Sequence, residues 1–268
     1  MSAPTTKKQH RKMGEDMTLF KKAQKSAIWI KLAIEGVSGS GKTYSALRLA
    51  RGLVGPAGKI AVIDTENGSA SLYSDQFDFD VVNVAPPFRK NQFVNPIRDA
   101  VEAGYHCLII DSASHIWEGV LDLKDQLDKG GGNHYTNWNS AGNVYKDVIN
   151  TILQAPIHVL CCMRSKVAYV IEENDKGSQV PRKVGMAPII RDGTEYEFST
   201  VFDLDRTHLA TIDKDRTKLF DDDEAFLITE KTGESIAAWL RGMPTPEPEP
   251  DFIDDPTEIH YEENEENW

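Results

Sequence analysis

Eight consecutive residues carry the densest chemistry in the sequence: Gly36-Val37-Ser38-Gly39-Ser40-Gly41-Lys42-Thr43 fits G-x-x-x-x-G-K-[ST] at every fixed position. Glycines let backbone N–H groups turn inward around a polyanion, and a helix beginning directly afterwards adds partial positive charge. The residue types therefore specify a polyphosphate cradle of Gly36, Val37, Ser38, Gly39, Ser40, Gly41, Lys42, Thr43 and Tyr44. Lys42 is expected to reach the terminal phosphates and Thr43 to give its hydroxyl to Mg²⁺, which takes hard oxygen ligands. ATP and Mg²⁺ are the expected cofactors. The alternative is a glycine-rich strand-to-helix turn without a ligand.

Two carboxylates end apolar runs downstream. Lys59 to Asp64 leads into Thr65-Glu66-Asn67-Gly68, and Cys107 to Ile110 ends in Asp111-Ser112. In an open parallel sheet the ligand crevice lies beyond the carboxyl ends of the strands, so Glu66 can orient a water and Asp111 can join the Mg²⁺ shell. A turn-capping carboxylate is the competing role for Glu66, and a structural strand-end acid for Asp111.

Cations follow in three places. Arg164 and Lys166 come after the run Ile157 to Met163, where a side chain can sense a terminal phosphate or touch DNA. Val167 to Ile171 and Gln179 to Val184, separated by Asn174-Asp175-Lys176-Gly177, read as a hairpin with Lys176, Arg182 and Lys183, able to track phosphates or to be a solvated face. Lys214 and Arg216, two residues apart on an extended segment, point the same way. They suit a role as trans-acting fingers on a neighbouring subunit's nucleotide. His134, Tyr135 and Trp138, read as a glycine-flanked loop, offer aromatic faces to unpaired bases or to the core.

These residues need a scaffold. Ile28, Ile30, Leu32 and Ile34 alternate as a strand before the loop; Ala46, Leu49, Ala50 and Leu53 make one helical face after it, stopped by Gly55-Pro56. Further strands are read at Val81 to Val84, Phe198 to Leu204 and Leu209 to Ile212. Helices are read at Asn95 to Ala103, Trp117 to Leu127, around Val144 to Leu153, and Glu234 to Arg241. The expectation is an α/β fold with a mainly parallel sheet flanked by helices, plus a β-hairpin addition.

The net charge of -12 is uneven. Residues 244–268 hold ten acids and no Lys or Arg, while residues 1–25 carry a net +5. This divides the 268 residues into a basic arm (1–24), one ATPase domain (25–243) and an acidic tail (244–268), the arm and tail read as disordered at least in part. Three cysteines in apolar runs form no disulfide framework or metal-ligand spacing, no signal-peptide stretch is present, and no apolar run approaches about 18 residues. A cytoplasmic protein with no membrane partner is expected.

Gly36 to Thr43, Ile63-Asp64-Thr65-Glu66, Ile109-Ile110-Asp111-Ser112, Met163-Arg164-Ser165-Lys166 and Lys214-Asp215-Arg216 together resemble the RecA-like ATPases encoded by bacteriophages, in particular the Sak-type single-strand-annealing group, over residues 27 to 241. The resemblance implies a RecA-like core that binds ATP and Mg²⁺, assembles head to tail with itself, and acts on single-stranded DNA in recombination or replication in the host cytoplasm. On that likeness Glu66 is the catalytic carboxylate, Asp111 the metal-side acid, and Lys214 and Arg216 the fingers. Lys218 departs from the Gly usual two residues after the Arg. The tail ending in Trp268 is similar in style to those of single-strand-binding proteins, so it is expected to block the chain's own DNA groove or dock a partner, with a single-strand-binding protein a candidate. A hexameric helicase-like motor, a P-loop kinase for a small acceptor, and a nucleotide-gated binder with negligible turnover are the other readings.

Overall fold

The computed structural model describes residues 20, 22–25, 28–173, 179–220 and 224–243, with the side chains of residues 168–185 left aside. The arm before Phe20, the tail after Met243 and Lys176 lie outside the described residues.

β1 (Lys31–Gly36) is buried along its whole length and runs into the glycine loop and α1 (Lys42–Val54). Continuous burial is the signature of a central parallel strand covered on both faces. β2 (Ile60–Asp64), β3 (Asp80–Asn83), α2 (Lys90–Glu102), β4 (Cys107–Asp111), α3 (Ser114–Lys129) and α4 (His134–Gln154) follow. β5 (His158–Glu173) and β6 (Gln179–Pro188) form the hairpin, and β7 (Thr200–Leu204), β8 (Leu209–Asp215), β9 (Phe226–Leu227) and α5 (Glu230–Arg241) complete the chain.

Among the described residues the strands form one sheet in the order β3-β2-β4-β5-β1-β7-β8-β9, with β6 paired to β5 off this path. Every neighbour pair from β3 to β7 is parallel, and β8 and β9 add antiparallel pairs at one edge. The expected α/β architecture and hairpin addition are both present. β5 lies between the loop-bearing β1 and β4, so the carboxyl ends of β2, β4, β5 and β1 open on one rim.

The sheet separates two apolar cores. α1 and α5 pack on one face through Ile34, Leu47, Leu49, Ile109, Phe202 and Ile236. α2, α3 and α4 cover the other through Ala33, Phe93, Ile97, Ile110, Val148 and Met163.

α3 and α5 begin at Ser114 and Glu230, a few residues before the Trp117 and Glu234 of the sequence reading, and the largest differences are at α2 and α4. α2 begins at Lys90, five residues earlier than Asn95, because Gln92 Oε1 accepts the Arg89 N–H at 2.7 Å and closes the first turn ahead of Pro96. The loop expected around His134, Tyr135 and Trp138 is the start of α4. Asn133 Oδ1 caps it by accepting the Tyr135 N–H at 2.8 Å and the Thr136 N–H at 3.4 Å. Trp138 stacks on Trp117 with ring centroids 6.2 Å apart, so it packs between helices, while Tyr135 remains 74% exposed.

Two glycines let α5 clamp α1. A Cβ at Gly52 would stand 1.7 Å from Glu230 O, and one at Gly233 would stand 2.1 Å from Leu49 O. Arg48 ties the same crossing to Glu230 at 2.8 Å. Gly52→Ala is expected to lower unfolding stability in urea by about 2 kcal/mol or more, as overpacking does; an unchanged midpoint would show that the helices cross with room to spare.

Candidate nucleotide site

The loop backbone is shaped for an anion. Gly39 and Gly41 take φ of 80° and 86°, in the left-handed region that favours glycine. A Cβ at Gly36 would lie 2.5 Å from Leu204 O and 2.6 Å from Ser40 Oγ. α1 opens with no side-chain cap and no acid in its first turn, so its leading N–H groups face outward from a positive helix end. Ser40 Oγ is buried without a hydrogen-bond partner. Lys42 Nζ folds back onto its own loop, donating to Gly36 O at 3.0 Å and Val37 O at 2.9 Å. An uncapped helix start, left-handed glycines and an ammonium beside the loop fit a polyphosphate.

The metal-side pair is assembled as well. Thr43 Oγ1 donates to Asp111 Oδ2 at 2.5 Å, which joins the first turn of α1 to the end of β4 across 68 positions. Burial pushes the Asp111 carboxyl up to about 6, the Thr43 hydrogen bond opposes this, and the Glu66 charge adds to it. A hydroxyl and a carboxylate side by side, in a place with surplus negative charge, fit a hard divalent cation. When bound, Mg²⁺ would neutralise phosphate charge there, with Thr43 and Asp111 as the residues to hold it.

Glu66 stands where it does because of Asp64. The Asp64 carboxylate is buried and accepts the N–H groups of Glu66 at 2.6 Å, Gly68 at 3.4 Å and Ala70 at 2.8 Å, fixing the turn after β2. Thr65 between them takes the Ser112 N–H at 2.7 Å and lies 2.6 Å from His115 Nδ1, so the ends of β2 and β4 are bound together. Glu66 Oε1 accepts the Arg164 Nε–H at 2.8 Å. Arg164 sits opposite Gly36 in the register of β1 and β5. Carboxylate and guanidinium therefore meet at the carboxyl rim next to the loop.

The structure brings Gly36 to Thr43, Tyr44, Glu66, Asp111 and Arg164 to this rim. Tyr44 contacts Tyr73 and Phe77, with centroids 5.5 and 5.4 Å away. It does not bring Lys214 and Arg216 to the chain's own loop. Both lie toward the opposite end of the sheet, where Lys214 Nζ donates to Tyr196 O at 2.6 Å and Arg216 Nη2 to the same oxygen at 2.8 Å. Lys166 is exposed on the hairpin, and Arg182 and Lys183 lie on β6. His208 was not singled out by sequence: its Nδ1 lies 3.1 Å from Ser40 O, joining the β7–β8 turn to the loop. Nothing local in the sequence signals a contact across 168 positions.

A P-loop ATPase is the class that this fold and loop define. The chain belongs to the AAA domain family, whose family model matches residues 29–237. Among solved structures, a KaiC-like protein from the hyperthermophilic archaeon Pyrococcus horikoshii is 17% identical over 70% of this chain and 79% of that one, with a TM-score of 0.44. No curated protein matches the sequence. Among the described residues, no helix is long and apolar enough to cross a membrane.

Replacing Lys42 with Ala removes a charge-assisted donor worth about 1.5–3 kcal/mol, so ATP affinity measured with a fluorescent analogue is expected to fall about 10- to 100-fold. Asp111→Asn is expected to make that affinity insensitive to Mg²⁺. Unchanged affinity in Lys42→Ala would place the nucleotide elsewhere.

Proposed function

We propose that the protein is a RecA-like ATPase of a bacteriophage recombination system, of the single-strand-annealing type, that couples ATP turnover to single-stranded DNA. Glu66 orients the attacking water, Lys42 holds the terminal phosphates, and Lys214 and Arg216 complete the site of the next subunit in a head-to-tail assembly. Support for the last role is their placement away from their own loop, on one shared carbonyl.

The observation that carries this reading is the Glu66–Arg164 pair. Arg164 closes the buried part of β5, and the next residues, Ser165 and Lys166, begin the hairpin with β6. Strands are stiff along their length, so a ligand drawn to Lys166, Arg182, Lys183 and Lys176 would pull on Arg164. Glu66 paired to a guanidinium is a poor partner for water. Released, it becomes a free carboxylate facing the loop. DNA on the hairpin thereby licenses hydrolysis, and the acidic residues 244–268 compete for the same cations until DNA or a single-strand-binding protein takes them away.

Turnover of ATP with and without single-stranded DNA, at fixed salt because phosphate contacts are salt-sensitive, tests this. The wild type is expected to accelerate several-fold with DNA. Glu66→Gln should bind ATP and not hydrolyse it, and Arg164→Ala should hydrolyse at a rate that no longer responds to DNA. Wild-type turnover indifferent to DNA would remove the coupling, and phosphoryl transfer to a small acceptor would replace it with a kinase.

A further inference from the structure

Both members of the Glu66–Arg164 pair are held by the first turn of α3. Ser114 Oγ accepts the Arg164 backbone N–H at 2.9 Å, and His115 Nδ1 lies 2.6 Å from Oγ1 of Thr65, the residue before Glu66. The second contact joins the start of α3 to the turn after β2 across 50 positions. It leaves His115 inside the molecule, 5% exposed, where an imidazole needs a defined role for each ring nitrogen.

The neighbours fix those roles. Glu118 Oε2 lies 3.8 Å from Nε2, and a carboxylate only accepts, so Nε2 carries the ring proton. Burial first, then the Arg164 charge, push the His115 ring below the ordinary histidine value, with the Glu118 and Glu66 charges opposing. The imidazole is therefore neutral at neutral pH, and Nδ1 is left as an acceptor. The Thr65 hydroxyl has one proton to give. It accepts the Ser112 N–H at 2.7 Å, and its own proton can go to His115 Nδ1 at 2.6 Å or to Ser112 O at 3.2 Å. The shorter contact takes it.

The ring is clamped in that bond. Phe88 stacks on it, with centroids 4.4 Å apart and planes 7° from parallel. Phe88 is itself pressed against α3, since a Cβ at Gly119 would stand 2.1 Å from Phe88 O. The shape of the turn after β2 does not require this imidazole, because Asp64 already accepts the N–H groups of Glu66, Gly68 and Ala70. The His115–Thr65 bond adds what Asp64 does not supply, a tie from the turn to the helix that also holds Arg164.

We propose that His115 is a positioning residue for Glu66: with its proton on Nε2, it takes the Thr65 hydroxyl proton at Nδ1 and fixes where the Glu66 carboxylate stands relative to the glycine loop. This rests on the reading of Glu66 as the residue that orients water.

The test is ATP turnover of the full-length chain in wild type, His115→Leu, His115→Asn and Glu66→Gln, read beside the ring-nitrogen NMR resonances of His115. An Asn amide oxygen stands close to the place of Nδ1 and accepts the same proton, whereas Leu fills the space and accepts nothing. His115→Leu is expected to lower kcat about tenfold or more while KM for ATP stays within about twofold, and His115→Asn to recover most of the rate. Rates that fall equally in the two His115 variants, or in neither, would overturn the positioning role. Glu66→Gln turning over at the wild-type rate would instead remove the reading beneath it. The ring signal does not depend on turnover. At neutral pH Nδ1 is expected to be an unprotonated nitrogen whose resonance moves in Thr65→Val, and a protonated Nδ1 would overturn the inference whatever the rates.

Discussion

Three glycines hold the turn that connects β1 to α1, and much of the molecule answers to that turn. The loop reverses within a few residues through left-handed backbone at Gly39 and Gly41, and Gly36 passes too close to Leu204 to carry a side chain. The turn is held from outside as well: α5 crosses α1 at Gly52 and Gly233, and His208 reaches the loop from the β7–β8 turn. Such a loop has many inward N–H groups and few acceptors. Its lysine therefore rests on the loop's own carbonyls, at 3.0 and 2.9 Å.

The second constraint is electrostatic. Parallel strands deliver their last residues to one rim, and here that concentrates Asp64, Glu66 and Asp111. Each carboxylate is managed differently. Asp64 is consumed by three backbone N–H groups, Asp111 by the Thr43 hydroxyl, and Glu66 by a guanidinium. The first is architectural, since it shapes the turn that carries Glu66. The other two are made by single side-chain partners that can exchange, which suits residues whose work is on phosphate, metal and water.

Much of this was legible in the sequence because it is local. The glycine loop, the apolar runs ending in Asp64 and Asp111, and the pairing of β5 with β6 come from patterns that are short in sequence, and strand and helix periodicity are read over similar spans. The starts of α2 and α4 were misread because they depend on single capping side chains, Gln92 and Asn133, in polar stretches that look like loop. Long-range pairs left no trace. Arg164 and Glu66 are 98 positions apart, and Glu35 reads as one polar residue in an apolar strand. Lys31, in the same strand, is equally buried, yet its ammonium donates to Ala155 O at 2.8 Å and Ile157 O at 2.6 Å. Only the fold distinguishes this satisfied lysine from Glu35, whose buried Oε2 has no hydrogen-bond partner.

A crystal structure of the full-length chain with ADP, a γ-phosphate mimic such as beryllium fluoride and Mg²⁺ tests the central claim most directly. Lys42 Nζ is predicted to leave the carbonyls of Gly36 and Val37 for the phosphates, Mg²⁺ to come between Thr43 and Asp111, and Glu66 to part from Arg164 and face the fluoride. A nucleotide bound with Lys42 still on its loop and the Glu66–Arg164 pair intact would contradict the account.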